Sequence, residues 1–163
     1  MDFLDILLIL STLFCSLVTG FTFTYAIVVM PGLAKLNNRD FIRAFQLTDG
    51  VIQNNQPLFM VTWIGSIISI ILLLLTSIVS LGFHGTWTIL LTATFYVFGV
   101  QGITTSIHLP LNNKLQKLNV SELNELTLSK EMGFQTKWKF YNNIRMAIGF
   151  FASLILLIIL TSR

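Results

Sequence analysis

The residues of this chain that could do chemistry sit in greasy surroundings. In the apolar run Thr86–Leu109, Gln101, Thr105 and His108 fall at i, i+4 and i+7, hence on one face of a helix. In the run Phe3–Met30, Thr19, Thr22 and Tyr25 follow at three-residue steps. A third group opens the last apolar run: Trp138, Tyr141, Asn142, Asn143 and Arg145 lie within KWKFYNNIRMAIGFF. An imidazole takes and gives protons near neutrality. A guanidinium presents five N–H donors and suits an anion. Amides and hydroxyls orient a ligand, and aromatic rings stack on flat ones. The spacing predicts that these groups converge on a polar pocket inside an apolar bundle. Each also has a plainer use. Thr and Ser bond back to their own helix, and an arginine at a membrane helix end can reach the headgroups, with Trp138 and Tyr141 as an interfacial belt.

The elements that must position them are membrane helices. The chain has 163 residues, 54% of them hydrophobic and 10% charged, where soluble domains carry about 25% charged residues. About 20 apolar residues span the hydrocarbon, and four segments reach or approach that length: Phe3–Met30, Pro57–Leu81, Thr86–Leu109 and Asn142–Thr161. The fold class expected is an all-α, four-helix transmembrane bundle, one membrane domain over 1–163, with two helical loops. Pro31 and Pro110 are expected to end the first and third helices, and Pro57 to begin the second. Asn54 and Asn55 are candidate caps before Pro57, and Asn119 or Ser121 before the second loop helix. Gly82-Phe83-His84-Gly85 reads as a tight turn between antiparallel neighbours. Along the first loop helix, Phe41, Phe45 and Ile52 are expected to face the bundle or the membrane surface, and Arg39 and Arg43 to face water. The acidic N-terminus and its long apolar run read as a retained helix and not a secretory signal.

Lysines and arginines predict orientation. Nine of ten lie on the side of the two long loops, and Arg163 alone lies on the other. The positive-inside rule then places both loops in the cytoplasm and both termini outside, in a bacterial cytoplasmic membrane. The basic balance is explained by that orientation, and no nucleic-acid signature accompanies it. A faint repeat links Pro31-Gly-Leu-Ala-Lys35-Leu36 with Pro110-Leu-Asn-Asn-Lys114-Leu115.

No acidic residue lies deep in any of the four runs, which argues against a proton-driven carrier. His84 and His108 are separated by 24 positions, or roughly 36 Å along a continuous helix, so one chain cannot clamp a haem or a metal between them. No other spacing suggests metal ligands, and no phosphate loop or nucleophile elbow is present. Neither a metal nor a cofactor is expected. The single cysteine, Cys15, forms no disulfide within the chain.

Several of these residues fall into a known pattern. Thr19-Gly20, Pro31, Gln46, Asn55-Gln56-Pro57-Leu58-Phe59, Pro110-Leu-Asn112-Asn113-Lys-Leu115 and Trp138-x-x-Tyr141-Asn142-x-x-Arg145 occur in an order that resembles the family of small four-helix membrane proteins that includes anthrone oxygenase. The last piece is the most specific, with Tyr141 where the family usually has tryptophan. Asp49 likewise stands where asparagine is usual. The resemblance implies an oxygenase without metal or flavin that converts an anthrone to an anthraquinone. In that chemistry Arg145 would stabilise an anion, and Asn113, Asn142 and Trp138 would hold the substrate. From the stripes, His108 is the candidate base, Gln101 and Thr105 orient the ligand, and Tyr25 stacks on it. The expected partners are a small hydrophobic or aromatic molecule and membrane lipids, and a homo-oligomer is compatible with the chain. The alternative is a non-catalytic accessory or a lipid- or quinone-binding protein.

Overall fold

The computed structural model describes residues 2–162, so Arg163, the lone basic residue of the minority side, lies outside the described residues. Five helices follow in order: α1 Phe3–Leu33, α2 Asn38–Gln53, α3 Pro57–Gly85, α4 Trp87–Gln116 and α5 Glu125–Thr161. All but α2 are long and apolar enough to cross a membrane. A turn at Met132 divides α5 into Glu125–Glu131 and Gly133–Thr161. The four spans run alternately up and down. α1 packs against α3 and α5, and α4 closes the ring against α5.

Local sequence explains the ends. Asp2 and Asp5 form a reciprocal capping box at the start of α1. Gln56, and not Asn54 or Asn55, caps α3, its Oε1 accepting from Phe59 N at 2.6 Å. Asn55 instead makes the bend before Pro57 with φ 58°. In the second loop neither Asn119 nor Ser121 caps the helix; Asn124 does, accepting from Thr127 N at 2.9 Å. Gly82, at φ 68°, breaks α3 just before the turn into α4, a conformation open to glycine and costly for most other residues.

The two prolines do not end their helices. α1 continues past Pro31 and α4 continues past Pro110 to Gln116. In each helix a π-helical turn precedes the proline: Tyr25–Val29 before Pro31, and Thr104–His108 before Pro110. A proline removes an N–H and collides with the carbonyl four residues earlier. The wider π turn absorbs that conflict and lets the helix run on. Both turns stop two residues before their proline, so the faint sequence repeat has a structural counterpart.

The last helix also begins earlier than expected. Its buried face is Phe134, Trp138, Asn142, Arg145, Gly149, Ala152 and Leu156, a single stripe at helical spacing. The stretch between Phe134 and Tyr141 is helix carried out of the apolar run by its inward aromatics, while Lys137 is exposed.

Two cores result. One joins the spans: Leu8, Cys15, Val18, Ile70, Leu73, Tyr96, Val100 and Leu156. Without a hydrophobic drive between helices in lipid, such packing relies on close approach, as where Gly149 meets Thr19. The second core lies at the loop end, where Phe41, Ile42 and Phe45 of α2 meet Leu115, Leu128, Phe134 and Trp138. Arg43 is exposed, but Arg39 is not simply solvated. It donates to the carbonyls of Val120 at 2.6 Å and Leu123 at 2.7 Å and ties the two loops together. Gln46 does the same through the carbonyls of Leu115 and Leu118.

Candidate functional site

Arg145 turns into the bundle. It is 4% exposed. Its Nε and Nη2 donate to Asn142 Oδ1 at 3.0 and 2.9 Å, and its Nη1 donates to Thr104 Oγ1 at 3.1 Å. Asn142, one helical turn earlier on the same face, is anchored in turn by donating to the Thr22 carbonyl at 3.0 Å. The guanidinium lies over the Trp138 ring, 5.6 Å from its centroid, a favourable place for a cation. Among the described residues no carboxylate pairs with it.

Arg145, Thr104 and Trp138 line a partly open cavity of about 220 Å³ at the loop end of the bundle. Its apolar walls are Phe21, Phe45, Ile52, Phe59, Met60 and Trp63, with Tyr25 and Trp138 between them. Its polar groups are Arg145, Thr104, Thr105, His108, Asn112, Asp49, Gln53 and Asn55. That size is somewhat below the range of roughly 300–1,000 Å³ typical of drug-sized ligand sites.

His108 is 2% exposed, and neither ring nitrogen has a hydrogen-bond partner. The Tyr141 backbone approaches the imidazole without reaching bonding geometry. Its ring meets Trp138 edge-on, with centroids 4.8 Å apart. A buried imidazole with both nitrogens free costs stability unless something else satisfies it. His84 stands apart from the cavity, at the tight turn where α3 gives way to α4. Among the described residues no cluster of three metal-ligating side chains occurs.

Asp49 reaches the cavity from α2. It is 2% exposed, and its carboxylate is held by three amides: Asn112 at 2.7 Å, Gln116 at 3.0 Å and Gln53 at 3.3 Å. Burial pushes its pKa above the usual carboxylate range, and the amide hydrogen bonds only partly offset this. Asp49 and Arg145 line the same cavity, and among the described residues they form no ion pair. Asn112 also accepts from Trp138 Nε1 at 2.9 Å, so one amide fixes both the acid and the indole.

Of the side chains expected in a pocket, Tyr25, Thr105, His108, Trp138 and Arg145 line this cavity, and Asn142 stands behind Arg145. Four placements differ from expectation. Asn113 is exposed, and its neighbour Asn112 faces inward. With α4 continuing through Pro110, Asn112 lies four residues after His108 on the same face; a helix ended at the proline hides that relation. Thr105 is at the rim, its hydroxyl used on the Gln101 and Gly102 carbonyls, and Thr104 meets Arg145. The π turn adds a residue to the helical repeat and so rotates the stripe by one position. Gln101 is buried away from the cavity, where its amide donates to Ser66 Oγ at 3.2 Å and Tyr96 Oη at 3.3 Å. Thr19 likewise spends its hydroxyl on the Cys15 carbonyl at 2.7 Å.

No curated protein and no solved structure matches the chain. The family model described as anthrone oxygenase matches residues 58–155, which take in the cavity walls of α3, α4 and α5 but not Asp49 or Tyr25. That match covers more than half of the sequence, and the chain therefore belongs to the anthrone oxygenase family.

Proposed function

We propose that the cavity binds a small, flat, hydroxylated aromatic that ionises while bound, and that the protein oxygenates it with dioxygen and without a cofactor. The observation that carries this reading is the presence of His108 and Arg145 in the lining of one cavity. The first is an imidazole with both nitrogens free, and the second is a cation without a carboxylate. A ketone with an acidic adjacent methylene, as in an anthrone, needs a base at the C–H and a donor at the oxygen where negative charge grows. His108 takes the proton, and Arg145 holds the resulting enolate oxygen. The enolate gives one electron to dioxygen. The carbon radical and superoxide combine to a peroxide, protonated at the expense of imidazolium. Loss of water from the peroxide leaves the new carbonyl. The methylene and one dioxygen thus become a carbonyl and one water, and His108 returns to its starting state. Dioxygen dissolves well in hydrocarbon, so a site walled by aromatic rings is well supplied. By the positive-inside rule the cavity opens near the cytoplasmic face of the membrane.

The test uses the purified protein in lipid nanodiscs with a dihydroxyanthrone. Oxygen uptake should match anthraquinone formation one for one, above the spontaneous rate. Arg145→Lys keeps the charge and loses the planar fork, and turnover should fall about 100-fold, the scale of removing one preorganised donor. Saturable binding with no oxygen uptake would instead identify a non-catalytic ligand-binding protein. Wild-type turnover in both Arg145→Lys and Arg145→Gln would remove Arg145 from the site.

A further inference from the structure

We infer that the cavity reads its ligand at two edges, and that Asp49 is the second reader: it selects aromatics that carry a hydrogen-bond donor on the edge away from Arg145. This rests on the reading above, in which the ionising edge faces Arg145.

An ionised carboxylate accepts about four hydrogen bonds. Asp49 receives three, one at Oδ1 from Asn112 and two at Oδ2 from Gln116 and Gln53. One acceptor position remains on Oδ1, on a residue that lines the cavity. The guanidinium is in the matching state. Of its five N–H groups, three are used, on Asn142 and Thr104. Among the described residues the ion pairs are Arg39–Glu125 and Lys114–Glu131. A lone buried acid and a lone buried cation therefore wall one cavity without meeting.

A hydrogen-bonded chain runs between them. Trp138 lies beneath Arg145 and donates from Nε1 to Asn112, and Asn112 donates to Asp49. The charges are separated by an indole and an amide, each fixed by its neighbour. Direct pairing would fill the cavity and satisfy both. Held apart, each keeps unused hydrogen-bonding capacity on a residue that lines the same cavity. Burying a charge without a counter-charge is costly. A flat molecule with an acceptor at one edge and a donor at the other would satisfy both at once. The donor is a hydroxyl or a protonated amine. An aromatic without it leaves the last acceptor of Asp49 buried and unmet, the situation in which polar sites discriminate most strongly.

The experiment compares four anthraquinone probes with the full-length protein in nanodiscs. All carry hydroxyls beside one carbonyl. The first has nothing on the far edge, the second a hydroxyl there, the third the methyl ether of that hydroxyl, and the fourth an aminomethyl group. Binding is read from quenching of Trp63 and Trp138, which line the cavity. Wild type should bind the hydroxyl or aminomethyl probe about tenfold or more tightly than the ether. In Asp49→Asn that ratio should shrink to within about twofold, with the aminomethyl probe losing most if the cation is what Asp49 reads. Equal affinities in wild type, or a ratio that survives Asp49→Asn, would overturn the inference while leaving aromatic binding intact. If no probe binds wild type, the inference falls together with the reading beneath it. If Asp49→Asn does not fold, the wild-type ratio decides alone.

Discussion

Arg145 depends heavily on one oxygen, and the substitution Asn142→Ala measures that dependence. Asn142 Oδ1 accepts from Nε and Nη2 of the guanidinium, and the same amide donates to the Thr22 carbonyl. Alanine removes all three bonds. Arg145 is then left with Thr104 Oγ1 and the face of Trp138. A hydrogen bond to a charged group contributes about 1.5–3 kcal/mol and a neutral one about 1. Two bonds into one oxygen do not add in full, so about 3 kcal/mol for the pair and a total near 4 is the expected loss. The assay is equilibrium unfolding in mixed micelles, followed by tryptophan fluorescence. The decisive comparison is Asn142→Ala with Asn142→Ala/Arg145→Met. If the cost is an orphaned charge, removing the charge as well should recover about half of the loss. A stability for Asn142→Ala within error of wild type would refute the reasoning. So would a double variant whose loss equals the sum of the two single losses.

Three further outcomes are expected. Introduced cysteines at Asn38 and Asn124 should resist an impermeant thiol reagent in intact cells and one at His84 should react, with buried Cys15 silent; labelling of Asn38 from outside would reverse the orientation. Asp49 has a raised pKa in the folded state, so the folded chain holds its proton more tightly than the unfolded chain does. Its stabilising effect is full below the ordinary carboxylate range and is lost as pH rises through the raised value; Asp49→Asn should flatten that part of the stability profile, and an unchanged slope would count against a desolvated carboxylate. Gly149→Ala would place a methyl 2.5 Å from Thr19 Oγ1, costing about 1–3 kcal/mol by overpacking. Thr19→Ala in the same chain should relieve much of that loss, and no relief would place the strain elsewhere.

The parts of the structure legible in sequence were those set by bulk physics. Four runs of apolar residues become four spans because length and hydropathy alone decide them. The inward course of Arg145 was legible from its company, since Asn142 at i−3 has to share its face. What sequence hid was phase. Thr104 and Thr105, or Asn112 and Asn113, are adjacent and of one type, so composition cannot choose between them. The choice was made by the π turn Thr104–His108 and by the passage of α4 through Pro110, neither of which a regular 3.6-residue repeat contains. Gln101 was misplaced for another reason. It shares a helix face with the site but finds Ser66 and Tyr96 first, and a buried amide settles on the partners nearest to it.

The same irregularity explains why the cavity lies where it does. π turns occur often at functional sites, and one use is to aim a side chain that a regular helix would point elsewhere. Here the turn before Pro110 contains Thr104 and His108, and the turn before Pro31 begins at Tyr25. All three line the cavity. Each helix carries a wide turn just before it leaves the apolar run, and these two turns pack against the helix whose buried stripe carries Trp138 and Arg145. Two copies of one local solution to a proline in a membrane helix thus leave room between helices at the same depth. α2 covers that room with Phe45 and Asp49. Straightening either turn, by replacing its proline with alanine, should narrow the cavity and turn Thr104 or Tyr25 away from it.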